Sequence, residues 1–106
     1  MYGMRYEWDS AKNRANQRKH NGISFEIASL VFEDESCMIE LNRVDETGEL
    51  RWHAIGRAQI EPSVGPVLLV GHTYREDRNG KEIIRIISAR RAEKHELRRY
   101  QEQEME

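Results

Sequence analysis

The chain has 106 residues, 38% of them hydrophobic and 34% charged, with a formal net charge of -2. This length allows one domain with a modest core, no apolar run nears the roughly 20 residues of a membrane span, and the charge balance argues against indiscriminate nucleic-acid binding. The single cysteine, Cys37, excludes an internal disulfide and fits a reducing cytosol. The segment MYGMRYEWDSAKNR has charges where a secretory signal would need an apolar stretch.

In chain order, Tyr6-Glu7-Trp8 predicts a short edge strand. Asp9 suits a helix N-cap, its carboxylate accepting from first-turn amides. SAKNRANQRKH is then helix-compatible, with only Ala11 and Ala15 to bury and Trp8 as an anchor, and Asn21-Gly22 ends it. Asn13, Asn16, Lys19 and His20 share one surface of that helix. Ser24 caps a second helix whose Ile23, Ile27, Leu30 and Val31 stripe, widened by Phe25, Ala28 and Phe32, marks the core helix. CMIELNRV predicts a strand and DETGE a turn. LRWHAIGRAQI alternates, with Leu50, Trp52, Ala54, Gly56 and Ala58 on one face and Arg51, His53, Ile55 and Arg57 on the other. IEPSVGP interrupts the sheet with both prolines. VLLVGHTYR and IIRIISAR form two more strands, joined by a hairpin at Asn79-Gly80. Arg91 to about Glu104 predicts a polar helix with little beyond Ala92, Leu97 and Tyr100 to bury. Helices first and strands after define an α+β class over 1–106: N-terminal helices packed on a mainly antiparallel sheet, then a C-terminal helix.

The last strand turns basic as it ends. Between Arg85 and Arg99, the cations Arg85, Arg90, Arg91, Lys94, Arg98 and Arg99 outweigh Glu93 and Glu96. The plain reading is a solvated helix. Arg85, however, is in register with Ile83 and Ile87, so its guanidinium emerges among apolar side chains and wants a carboxylate or phosphate. Arg90 and Arg91 leave from a rigid strand end, and an anion site is expected where these groups converge. His20, His53, His72 and His95 lack metal-pair spacing, and no cysteine joins them, which argues against zinc. His53 and His72, on two strands, can approach across the sheet. Tyr74-Arg75 and Arg51-Trp52 set aromatic rings beside cations, an arrangement that can hold unpaired bases, although Trp52 also suits the core. Walker, GxGxxG, GxSxG and HExxH motifs are absent from the sequence.

YEWDSAKNRANQRKH, GISFEIASLVFED, RWHAIGRA, HTYR and RIISARRAEKHELRRY, in that order and over most of the chain, resemble the BrnT family, the toxin half of a bacterial type II toxin–antitoxin pair. Two departures, Asn21 ahead of Gly22-Ile23 and Glu35 where the family often has proline, read as loop variations. The resemblance implies a RelE-like fold and a cytoplasmic ribonuclease that arrests translation without metal or cofactor. It also implies a BrnA-type, DNA-binding antitoxin, held in a hetero-oligomer that represses its own operon. One arginine-rich surface would then hold RNA when free and be masked by the antitoxin when bound. Metal-free cleavage needs a base for the 2′-OH, an acid for the leaving oxygen and cations for the transition state. Arg85, Arg90 and Arg91 are expected to stabilise phosphate and His20 to move a proton, with His53 or Tyr74 as alternatives for that role; Lys19, Arg51, His53, Tyr74 and Arg75 are expected to contact RNA. The rival reading is a non-catalytic RNA- or protein-binding module built on the same arginines.

Overall fold

The computed structural model describes residues 4–105; the first three residues of the N-terminal segment and the last of the acidic tail lie outside it. Strand β1 (Arg5–Glu7) leads to helix α1 (Ser10–Lys19), helix α2 (Phe25–Ser29) and a 3-10 turn (Leu30–Glu33). Strands β2 (Met38–Val44), β3 (Leu50–Arg57), β4 (Val67–Glu76) and β5 (Glu82–Arg91) follow, then helix α3 (Lys94–Glu104). The expected meander is present. A five-stranded sheet runs β1-β5-β4-β3-β2, antiparallel from β2 to β5, with β1 added parallel to β5 at one edge.

Both faces of the sheet carry helix. On one, Phe25, Ala28 and Val31 pack on Ala54, Leu68, Val70, Ile84 and Ile86. On the other, Tyr100 of α3 is buried against Ile55, Val67 and Leu69, with Leu97 beside it. The period-two pattern of β3 divides as its sequence predicts, Ala54 and Ala58 to the first cluster and Ile55 to the second. Because α3 is short, it covers only the end of its face near Val67, and the other end stays open.

The structure corrects two details. Ala11 and Ala15 are exposed, and α1 instead buries Asn13 and Asn16. Asn16 donates to the carbonyls of Ile23 (3.0 Å) and Ala89 (2.9 Å) and accepts from the Ala89 amide (3.1 Å). It thus completes the outer edge of β5 beyond the reach of three-residue β1, doing with a side chain what another strand would do with backbone. Asn13 accepts from the Phe25 amide at 2.9 Å and fixes the start of α2. The core helix, in turn, lasts only through Ser29 before tightening into the 3-10 turn. Asp34 forces this exit: its carboxylate takes the Ser36 amide, the Arg57 amide and the Tyr100 hydroxyl, tying the turn to β3 and α3.

A bulge between Gly71 and His72 decides which side chains share a face. Thr73, Gly71 and Leu69 alternate on β4 and therefore point the same way; their β5 partners are Arg85, Ser88 and Arg90. Arg85 and Arg90 would oppose each other on an unbroken strand. Here they stand together. The same bulge removes Ile87 from the register expected for it with Arg85.

Candidate nucleic-acid interface

The α3 face carries three cross-strand rows. The first is Glu7, Arg85 and Thr73; the second Ser88, Gly71, His53 and Glu40; the third, Arg90, Leu69, Ile55 and Met38, runs under α3, where Ile55 and Leu69 are buried against Tyr100. At the centre of the middle row Gly71 makes room for the Ser88 hydroxyl, which would lie 2.4 Å from a Cβ there. His53 is the cross-strand neighbour of Gly71. Burial, and then the nearby Arg90 charge, lower its pKa against the pull of Glu96 and Glu40, so its imidazole is neutral near pH 7 and able to accept a proton.

The arginines converge on this face, but most are occupied. Arg75 grips Glu7 through two nitrogens (2.7 and 2.6 Å), and Arg85 reaches the same carboxylate at 2.9 Å. Arg90 and Glu96 form a fork-to-fork pair (2.8 and 3.0 Å), Arg99 and Glu40 another (3.1 and 2.7 Å), and Arg51 is held by Asp45 in the β2–β3 turn. The hydrogen bonds from Arg75, followed by those from Arg85, hold Glu7 ionised, its pKa lowered to about 2. The carboxylate that Arg85 was expected to want is Glu7. Arg85 commits only one of its nitrogens, and Arg91 has no ion pair among the described residues.

Arg91 pairs with Leu68 and so leaves the sheet toward the helix layer. There it lines a cleft of about 210 Å³ with Lys19, His20, Asn21, Arg90 and one carboxylate, Glu93. A second cleft of about 320 Å³ runs from Lys12, Lys19 and His20 over the edge of β5 to Ile87 and Ser88. Ser88 belongs to both this cleft and the middle row. The two cationic surfaces thus meet across the edge of β5 that β1 leaves unpaired. Lys19 and His20 stand at the C-terminal end of α1, where the helix dipole favours cations, and Asn16 sets the distance from α1 to the strand.

Of the residues singled out from sequence, Lys19, His20, Arg85, Arg90 and Arg91 gather along β5, with His53 and Arg75 on the adjoining face. Arg51 is apart, at the start of β3 beside Asp45 of the β2–β3 turn. Tyr74 is on the opposite face, half-buried against Trp52 and bonded to His72. His72 is buried there too, so the two histidines lie on opposite faces of the sheet rather than together. Glu7 and Ser88 were not anticipated; an acid in a short edge strand and a serine in an apolar one carry no local signal. Glu93, His95 and Glu96 form a possible ligand group among the described residues, but the Glu96 oxygens already accept from Arg90 and the Glu93 amide.

Comparison with protein families finds a match over residues 8–96 to the family described as the ribonuclease toxin, BrnT, of a type II toxin–antitoxin system. The match includes α1, the whole meander and the start of α3. No curated protein matches the chain.

Proposed function

The chain belongs to the BrnT family of ribonuclease toxins of type II toxin–antitoxin systems, and from this premise we propose that it cuts RNA at the edge of β5 beyond β1, without metal, and so inhibits translation until an antitoxin of the BrnA type neutralises it. The observation that carries the reading is the meeting of Lys19, His20 and Arg91 with Arg85, Ser88 and His53 across one strand edge. Lys19 and Arg91, whose charges no carboxylate holds among the described residues, grip the backbone phosphates. Arg85 turns its uncommitted donors to the scissile phosphate. Neutral His53 takes the 2′-OH proton and His20 protonates the leaving oxygen. The Arg90–Glu96 pair fixes the guanidinium beside the face, where charge developing on the phosphorane strengthens its hold. The helix–sheet–helix arrangement is in keeping with a RelE-like domain, and the cytoplasm is where such a nuclease meets its substrate. No helix among the described residues is long and apolar enough to cross a membrane.

The test is cleavage of RNA by purified protein in chelator, with Lys19→Ala, Arg91→Ala and Arg85→Ala beside the parent chain. Cleavage should persist in chelator and slow by about 10-fold or more in each variant. A folded triple variant that cuts at the parent rate would refute the site. RNA binding without cleavage by the parent would point to the module instead.

A further inference from the structure

The sheet has a second unusual edge, on the side away from β5. Strand β2 is outermost, so its outward N–H and C=O groups have no strand to pair with. Ile39 is paired with Ala54, Leu41 with Trp52 and Val44 with Leu50, which places these apolar side chains in one row on the helix-layer face. The helix layer stops short of them. Ile39 is 47% exposed, Leu41 50%, Val44 54% and Leu50 45%, a contiguous apolar strip of the kind that marks an interaction site rather than scattered surface leucines. Edge strands are normally blunted by charge; in β2 the charges, Glu40 and Arg43, lie on the opposite face, and this face is apolar.

We propose that this edge anchors the antitoxin, which adds an extended segment to β2 with apolar side chains at alternate positions and a carboxylate opposite Arg43. The proposal rests on the pairing part of the reading above, that a type II toxin has a protein partner, and adds where that partner docks. Arg43 supplies the choice of occupant. It faces Arg51 across the hairpin, and Asp45 is committed to Arg51, so Arg43 stands beside like charge with no carboxylate among the described residues. A second copy of this chain would bring the same apolar row, but the acid within its β2, Glu40, is already held by Arg99. A partner strand carrying an acid satisfies both the backbone and the charge. The anchor lies across the sheet from the β5 cleft, so binding can be lost without touching cleavage.

The probe is the product of the reading frame adjacent to this chain's own, added to the purified full-length protein. Leu41→Glu/Val44→Glu should weaken its binding about 30-fold or more, while the melting curve and the RNA cleavage rate stay at parent values. Arg43→Ala should weaken it by several-fold. In the unsubstituted chain, hydrogen exchange at β2 amides should slow when the probe is added. Unchanged affinity of the double variant, protection that omits β2, no binding by the parent, or self-association through β2 each overturns the proposal. If β2 is protected but the parent cuts no RNA, the nuclease reading fails and the docking edge stands.

Discussion

Asn16 shows how one polar side chain can replace a hydrophobic face. It has three backbone partners, one on the loop after α1 and two on β5, and each would be stranded in a dry environment without it. Asn16→Ala should therefore cost about 2–4 kcal/mol in denaturant unfolding, whereas Ala15→Ser, on the exposed face of the same helix, should change little. His72 reports its burial differently. Enclosed between Phe32 and Tyr74, it has its pKa lowered from 6.5 to about 4, with burial the main cause. The folded state resists a proton that the unfolded chain accepts, so the stability this group contributes is complete above pH 6.5 and is lost as pH falls toward 4. Unfolding free energy should decline across that window, and His72→Leu should flatten the decline even if it lowers stability at pH 7.

The bulge in β4–β5 and the close approach of Ser88 to Gly71 are properties of elements. The Ser88 hydroxyl already takes the space that a Cβ at buried Gly71 would need, so any side chain there must displace it. Gly71→Val should therefore lower the melting temperature by several degrees, and adding Ser88→Ala should recover part of the loss. Helix α3 works with the same geometry: Tyr100 closes the second core cluster while Glu96 holds Arg90, so one helix both covers half of the face and orients a guanidinium on the other half.

For the whole molecule, the carboxylates bind the elements together. Glu7 joins β1 to β4 and β5, Asp34 joins the 3-10 turn to β3 and α3, and Glu40 joins β2 to α3. Arginine hydrogen bonds lower the pKa of Glu7 to about 2 and that of Glu40 below its ordinary value. For Asp34, burial would raise it, and hydrogen bonds from the Arg57 amide and the Tyr100 hydroxyl overcome this. A depressed folded pKa means stability that is full above about 4.5 and lost as pH falls toward 2. Acid unfolding followed by circular dichroism should steepen below pH 4.5, and Glu7→Gln should weaken that dependence. The same substitution releases Arg75 and Arg85, so RNA binding should tighten at low salt even as acid resistance falls.

The α+β class, the order of elements, the caps at Asp9 and Ser24 and the basic end of β5 were all legible in the chain, because N-caps, turns and period-two alternation act over a few residues. Family membership was legible too, carried by motifs spread along most of the length. Tertiary structure alone decided which cations share a face, because a single extra residue at the bulge reverses the parity of everything beyond it. It alone also decided which cations remain available, because ion pairs join residues as far apart as Glu7 and Arg85 or Glu40 and Arg99. The two asparagines of α1 belong with these. Buried amides are identical in sequence to solvated ones, and only the strand and loop that arrive beside them give them their partners.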